Sequence, residues 1–424
     1  PAALVQEGIR RVRMTQQGGG GFSLWPESSA LHPWTSVYAT HFLSEAKRAG
    51  YDVDDVVLAK ALDFVAGDAK AKESYGQDEL ERAVYALYVL ARVGKADLGT
   101  MDFIRAKHRK DLRPDSRALL AAAYAQSGNR QAVEELIKEI DDADRVKRST
   151  GYNFSSTIRS RALLLLAFLD VAPKDPRVAK LVQRLGRDAD AGEWTTQESA
   201  FTLLALGQFH REQAAKGPFK GTVLVGDRQI GHFSNEKPAT FGGIEGADPI
   251  RVVLDEKSNP EAVFYSLETR GIPTDAAYQP ESAGLEIGRE YLTRAGGPLD
   301  LASVAQGDIV VTRLRIRSTS GRLDNVVIEN LLPSGLEVEN PRLQSSETLP
   351  WVGDADLPTA YVDFRDDRVL VFADLGDNAW RTAYVLLRAV TPGRFRLPPV
   401  QAEAMYDPSI RARGERAEMK VRRR

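Results

Sequence analysis

At 424 residues, this chain is longer than a typical single domain, so two or three domains are expected. Its 57 Lys and Arg residues nearly balance its 59 Asp and Glu residues, which argues against nucleic acid as a partner. Hydrophobic residues make up 43% of the sequence, and no apolar run is long enough to span a membrane. The lack of cysteine excludes disulfides, thiolate nucleophiles and zinc–thiolate sites within this chain. The chain starts at Pro1 within a helical pattern, which we interpret as a piece of a longer protein.

The first half of the sequence has the period of α-helices. Apolar side chains from Leu80 to Ala91 recur at helical spacing and form one face of an amphipathic helix. Arg159 to Val171 is almost uniformly apolar, which predicts a buried helix. Thr195 to Glu198 has the pattern of a capping box that starts the last helix. We predict about ten helices, near residues 3–16, 35–48, 55–66, 78–95, 99–108, 116–127, 130–139, 156–170, 176–186 and 195–213.

The connections between these predicted helices are short, as in stacked helical hairpins. Small residues beside aromatics, as at Ala83-Val-Tyr85 and Ala123-Tyr124, would let inner helices approach closely. A closed ring of six hairpins, an α/α toroid, needs about twelve helices. We therefore predict that residues 1–215 form an incomplete α/α toroid, with about two further helices before Pro1.

From about Phe219 the period changes to two, and Gly and Pro turns separate short segments. We predict a β-rich segment at 216–278, a linker within 271–280, and a β-sandwich at 279–424. The fold class is thus multidomain α plus β, an α/α toroid followed by antiparallel β-sandwich domains. The predicted strands lie near residues 221–225, 250–254, 262–267, 285–291, 308–317, 323–329, 335–339, 361–364 and 368–374.

Tyr384 to Arg413 has the pattern of a closing sandwich edge. Tyr384 to Val390 is β-branched and aromatic, Pro392-Gly393 is turn chemistry, and Arg394 to Leu397 alternates as a returning strand does. Pro398-Pro399 ends that strand, and alternation then resumes as far as Tyr406.

This segment closely resembles the end of the last macroglobulin-like domain in bacterial alpha-2-macroglobulins. The matching residues are Tyr384, Arg388, Ala389, Pro392, Gly393, Phe395, Leu397 to Pro399, Ala402, Glu403 and Met405 to Pro408.

Earlier parts of the chain resemble the same family, in the same order. One set of residues resembles the part of the thioester-containing domain that follows the thioester. These residues are Ile9 to Gln16, Gly20 to Trp25, Pro33 to Thr35, Tyr38, His41 to Leu43, Ala46, Gly50, Tyr51, Trp194 to Glu198 and Ala200. The end of the CUB-like domain is matched by Tyr265 to Leu267 and Gly271 to Pro273. The last sandwich is further matched by Arg289 to Tyr291, Gly307, Asp308, Glu329 to Pro333, Gly335 to Glu337, Asn340 and Arg365 to Arg368.

The resemblance implies a large protease trap. In that family a protease cuts a bait region, the molecule rearranges around the protease, and in many members a Cys–Gln thioester acylates one of its lysines. Relatives are periplasmic and often lipid-anchored, and some are encoded with a peptidoglycan synthase. The implied partners are therefore target proteases, bound through the full-length parent, and a peptidoglycan synthase; no cofactor is implied.

The sequence departs from the family at its reactive group. The family motif Cys-x-x-Gln is absent because the chain has no cysteine, and its expected place is upstream of Pro1. The bait region is also expected upstream. We therefore predict a non-catalytic, C-terminal fragment of an endopeptidase inhibitor that protects the cell envelope.

Five residues are candidate functional residues. His32, in the loop before a predicted helix, is either an acyl-transfer base near the thioester or an ordinary exposed loop histidine. Trp25 and Trp34 either cover the thioester or cap the helical core. Met405 and Tyr406 either dock the last sandwich onto a neighbouring domain or pack in its own core or rim.

Two other classes of function remain open. Polysaccharide lyases also join an α/α toroid to antiparallel sheets, and such an enzyme would need His32 in a deep groove with Tyr and Arg neighbours. An envelope protein-binding module is the third class.

Overall fold

The computed structural model describes residues 2–138, 140, 145–190, 194–213, 219–234, 240–242, 248–258, 278–339, 355–376 and 378–424. Within these residues, ten α-helices come first and antiparallel sheets follow. The helices are α1 (Ala2–Met14), α2 (Pro33–Arg48), α3 (Asp55–Asp68), α4 (Gln77–Arg92), α5 (Leu98–Lys107), α6 (Pro114–Gln126), α7 (Arg130–Lys138), α8 (Thr157–Val171), α9 (Pro176–Asp190) and α10 (Thr196–Gln213).

Local chemistry explains where many helices begin and end. Asp54, Asp97 and Ser156 accept hydrogen bonds from the first free N–H groups of α3, α5 and α8. Gly94 and Gly128 follow α4 and α6 with a φ of 76° at each, a conformation that glycine adopts without strain.

Five helices, α2, α4, α6, α8 and α10, form the inner layer of the helical domain. They pack side by side in that order, and each is reached through one returning helix, so all five run parallel. Their like ends meet: Arg159 near the start of α8 lies 4.4 Å over the ring of Trp34 at the start of α2. Arg92 at the end of α4 binds Glu45 of α2 at 2.9 Å and Asp170 of α8 at 3.0 Å.

Aromatic and aliphatic side chains fill the centre of this array. The Trp34 ring lies 5.0 Å from that of Tyr85, and the Tyr85 ring lies 5.9 Å from that of Phe201. All three side chains are at most 2% exposed. The buried stretch predicted in α8 is part of the same core.

Sixteen strands are present in the described part of the chain. They are β1 (Lys220–Val225), β2 (Arg228–Ser234), β3 (Ile250–Leu254), β4 (Glu281–Ala283), β5 (Leu285–Thr293), β6 (Val304–Ala305), β7 (Ile309–Ser318), β8 (Leu323–Leu331), β9 (Leu336–Val338), β10 (Thr359–Phe364), β11 (Arg368–Leu375), β12 (Arg381–Ala389), β13 (Gly393–Leu397), β14 (Gln401–Ala404), β15 (Asp407–Arg413) and β16 (Ala417–Arg422).

These strands form four sheets. A three-stranded sheet, in the order β2-β1-β3, follows the helices. The last domain is built from a six-stranded sheet (β10-β11-β8-β14-β15-β4), a four-stranded sheet (β5-β7-β12-β9) and a small sheet (β13-β16-β6). Inward-facing aliphatic residues of these sheets share one core, which makes the last domain a sandwich.

The predicted order of ten helices followed by antiparallel sheets is confirmed. The strand predicted at 262–267 lies outside the described residues, as do residues 214–218 and 259–277 at the predicted domain boundaries. Those boundaries therefore stay predictions. Strands β2, β4, β6, β15 and β16 were not predicted: β4 and β6 are only three and two residues long, and polar or charged residues interrupt the apolar alternation of β2 and β15. No described helix is both long and apolar enough to cross a membrane.

Substituting Leu87 by alanine should destabilise the helical domain by about 3 kcal/mol, because Leu87 in α4 is fully buried and its loss leaves a cavity. Leu203 in α10 is 71% exposed, so the same change there should have little effect. Urea unfolding followed by circular dichroism at helical wavelengths measures both. Equal stability of the two variants would contradict the described core.

Candidate functional site

The end of the helical domain where the inner helices begin contacts the last sandwich. Tyr406, in the turn between β14 and β15, packs against the helical core. Its ring lies 4.0 Å from the ring of Phe154, which precedes α8, and Phe154 also stacks on His32 at 5.4 Å. Such aromatic pairs each contribute about 0.5–1.5 kcal/mol beyond the area they bury. A row of three rings thus joins the starts of α2 and α8 to the sandwich.

His32 caps the first turn of α2. Its Nδ1 accepts a hydrogen bond from the Thr35 backbone N–H at 3.2 Å and lies 2.8 Å from the Thr35 hydroxyl. The side chain is half-buried, so the exposed-loop alternative for His32 is wrong. Burial, together with a smaller effect of the nearby Arg82 guanidinium, lowers the pKa of His32 to about 4. His32 is therefore neutral at physiological pH, with Nδ1 used in the cap.

An ion-pair bridge lies beside this row of rings. Arg148 donates to both carboxylate oxygens of Glu198, each at 3.1 Å, and its guanidinium is 3.7 Å from Asp407 of the sandwich. Glu198 is 1% exposed and also accepts from the Thr195 N–H at 2.8 Å, in the predicted capping box of α10. Arg148 thus links the start of α10 to the residue that follows Tyr406.

The loop at 148–156, which we term the contact loop, also binds strand β8. The Asp324 N–H donates to the Thr150 hydroxyl at 3.0 Å, and the Asn325 side-chain amide donates to the Thr150 carbonyl at 2.8 Å. Gly151 is packed so closely that an added Cβ would lie 2.5 Å from an Asp324 carboxylate oxygen. A side chain at position 151 would therefore separate the two surfaces.

Trp25 makes a second aromatic contact with the sandwich. Its ring stacks on Tyr361 of β10 at 5.3 Å, with the planes 8° apart, and lies 4.4 Å from Phe372 of β11. Trp34 is instead 2% exposed inside the helical core, against Tyr85 and Arg159. Trp25 therefore lies at the contact with the sandwich, whereas Trp34 lies inside the helical core.

Met405 neighbours Tyr406 in the same turn. Its backbone N–H donates to the Asn325 carbonyl at 3.0 Å within the sandwich, and its side chain is half-buried. A docking role for Met405 and a thioester-proximal role for Trp25, His32 and Trp34 stay predictions.

The contact depends on several residues that sequence analysis did not single out: Arg148, Thr150, Gly151, Phe154, Asp324 and Asn325. One available signal was Phe154, a large aromatic within a loop of Ser, Thr, Gly and Asn. The polar partners carried no such signal, because they come from positions more than 170 residues apart. Across the described residues, no group of three or more His, Asp or Glu side chains is arranged to hold a metal ion.

The last part of the chain matches a known protein family. Residues 284–409 match the family model described as the bacterial alpha-2-macroglobulin MG10 domain. Alpha-2-macroglobulin of Xylella fastidiosa (strain Temecula1) is 30% identical over 438 residues, covering 96% of this chain and 26% of that protein. The chain belongs to the bacterial alpha-2-macroglobulin family. The family member of Escherichia coli K12 is 27% identical over 440 residues, covering 97% of this chain and 26% of the relative.

Solved structures of bacterial alpha-2-macroglobulins have the same fold. Native E. coli alpha-2-macroglobulin, spanning domain MG7 to the C-terminus, matches with a TM-score of 0.77 at 23% identity, over 99% of this chain and 68% of that one. Salmonella alpha-2-macroglobulin reacted with methylamine matches with a TM-score of 0.78 at 25% identity, over 99% and 28%. The predicted fold class is confirmed. The chain spans about a quarter of the length of the curated relatives it matches.

Lowering the pH from 6.5 towards 4 should destabilise the helical domain. Burial holds the pKa of both His32 and His41 at about 4, against an ordinary value of 6.5, so between these values the unfolded chain binds more protons than the folded one. Each histidine then contributes a slope of up to about 1.4 kcal/mol per pH unit. Stability from these two groups is complete above pH 6.5 and is lost as the pH falls.

His32→Asn separates the two contributions. Asparagine retains an acceptor for the cap of α2 but does not titrate, so the pH slope of unfolding should fall by about one proton. Denaturant midpoints at several pH values between 4 and 7 measure this slope in both proteins. Carboxylate titration is common to both and cancels in the difference; identical slopes would contradict a neutral, buried His32.

Gly151→Ala should weaken the contact between the helical domain and the last sandwich by about 2 kcal/mol, because the new methyl group overlaps Asp324. Fluorescence energy transfer between dyes on cysteines introduced at the exposed Lys180 and Lys420 reports the separation. The matched control is Gly67→Ala in α3, where an added Cβ meets nothing within 4 Å. Transfer should fall only in the Gly151 variant; unchanged transfer there would mean the surfaces do not meet as described.

Proposed function

We propose that this chain is the C-terminal portion of a bacterial protease-trapping inhibitor and that it contributes structure rather than chemistry to the trap. The observation that carries the proposal is the in-order match to alpha-2-macroglobulins over 96% of the chain. The lack of cysteine supports a non-catalytic role, because no residue of this chain is able to form a thioester.

The role we assign to this chain is to hold the last sandwich against the starts of the inner helices. Three residues of the contact loop make this contact: Phe154 packs on Tyr406, Arg148 lies near Asp407, and Thr150 binds Asp324. In this proposal the docked sandwich covers the end of the helical domain until a protease is captured. The interface combines aromatic and polar contacts, as transient interfaces between domains do. This composition fits a contact that forms and breaks reversibly.

Trp25, His32 and Trp34 are proposed to lie near the thioester of the parent protein. Trp25 and His32 support this role better than Trp34. Trp25 stacks on the sandwich, and His32 stacks on Phe154, which contacts Tyr406, whereas Trp34 is enclosed in the core. The reaction of Salmonella alpha-2-macroglobulin with methylamine is compatible with acyl chemistry in a relative. The basic nitrogen of the neutral His32 ring is Nδ1, which already accepts the hydrogen bond of the cap, and a pKa of about 4 makes this ring a weak base.

The proposal places the parent in the periplasm, where it would defend the envelope against foreign proteases. The pairing with a peptidoglycan synthase stays a prediction from the resemblance.

The lyase alternative has less support. A lyase needs an open groove at the centre or mouth of its toroid, with histidine, tyrosine and arginine on one wall. Here Trp34, Tyr85 and Phe201 fill the centre, and His32 is held between the first turn of α2 and Phe154.

A trapping assay tests the proposed function. The full-length protein that contains this chain is incubated with a protease, and cleavage of a large protein substrate is compared with cleavage of a small peptide substrate. An enclosed protease should lose most activity on the large substrate and retain activity on the small one. This chain by itself is the control and should alter neither activity. If the full-length protein leaves cleavage of the large substrate unchanged, the proposal fails.

A further inference from the structure

Backbone strain is concentrated where the helical domain meets the last sandwich. Four non-glycine residues of the described chain have a positive φ: Glu27 at 63°, Tyr152 at 51°, Phe154 at 52° and Asn325 at 56°. Such residues are uncommon, and for a bulky side chain this conformation is a genuine outlier. Tyr152 and Phe154 are in the contact loop, Asn325 binds that loop, and Glu27 lies two residues after Trp25, which stacks on the sandwich.

The strained conformation of the contact loop is held from two sides. On the helical side, the Asn153 side-chain amide donates to the Asp78 carbonyl at 2.6 Å, and the buried Arg159 donates to the Asn153 carbonyl. On the sandwich side, Asp324 and Asn325 bind Thr150, and Tyr406 lies against Phe154. Strained residues persist only where the surroundings over-determine them, so the sandwich is one of the two supports.

We propose that the contact loop is a conformational switch that is strained while the last sandwich is docked and relaxes when the sandwich leaves. In the docked state the backbone strain at Tyr152 and Phe154 favours separation of the sandwich. The aromatic row, the Arg148 bridge and the Thr150 hydrogen bonds favour docking. Removing these supports frees the loop to return to ordinary backbone conformations, which disfavours redocking. The link to protease capture rests on the proposed function, whereas the strain itself is a property of this chain.

One backbone amide reports the docking equilibrium directly. The Asp324 N–H donates to the Thr150 hydroxyl across the contact, so its hydrogen exchange requires the sandwich to move away from the loop. The buried Leu87 in α4 provides an internal reference, because its amide reports the stability of the helical domain alone. The experiment needs no protease, so its failure and the failure of the trapping assay are distinguishable.

The test compares glycine with alanine at position 152. Tyr152→Gly and Tyr152→Ala both remove the 63% exposed ring, and they differ only in the Cβ that makes a positive φ costly. If the strain exists only in the docked state, the Asp324 amide should be about fivefold better protected in the glycine variant than in the alanine variant. The same comparison at Glu27 should give a ratio above one.

The exposed Lys147, which has an ordinary negative φ beside the contact loop, is the matched control. There glycine should protect the Asp324 amide no better than alanine, because glycine only adds freedom to the undocked chain. The proposal is overturned if the glycine-to-alanine ratio at position 152 is one or less while the Leu87 amide stays equally protected in both variants.

Discussion

The parallel arrangement of the five inner helices is the constraint from which the rest of the architecture follows. Each helix start has backbone N–H groups without a partner in the helix, and here five such starts lie at one end of the domain. Side chains of His32, Ser156 and Glu198 satisfy some of these groups. Two of these capping residues are linked to the contact with the last sandwich, His32 through Phe154 and Glu198 through Arg148.

This arrangement explains why charged groups are buried near that end. Glu81, Asp115 and Arg159 are each at most 5% exposed, close to the starts of α4, α6 and α8. Burial raises the pKa of Glu81 and lowers that of Arg159, and each charge offsets part of the cost of burying the other. Carboxylates near helix starts also interact favourably with the helix dipoles. These buried charged residues thus lie next to the helix starts at the end of the domain that contacts the last sandwich.

Much of this fold was predictable from local chemistry, whereas most of the residue pairs in the contact were not. Helical periodicity and caps located all ten helices because those signals lie within about 20 residues of chain. The row of His32, Phe154 and Tyr406 depends on three segments far apart in sequence, and the segment around Phe154 carried no family signal. Arg148 and Thr150 lie among polar loop residues of ordinary composition, where pairing with Asp407 and Asp324 depends on the tertiary fold. Strand β16 was missed although its sequence carried a usable signal, since charged residues alternate there with the buried Met419 and Val421.

The polar docking residues lie in loops and near a hairpin turn, outside the aliphatic cores that stabilise each domain, whereas Phe154 belongs to the helical core and Tyr406 packs against it. Substitutions at Arg148, Thr150 or Asn325 therefore change how tightly two folded domains associate without removing either core. Natural selection is therefore able to change the free energy of domain separation without changing the fold of either domain. Related proteins exposed to different conditions would then diverge in this loop and turn while keeping the same helices and sheets.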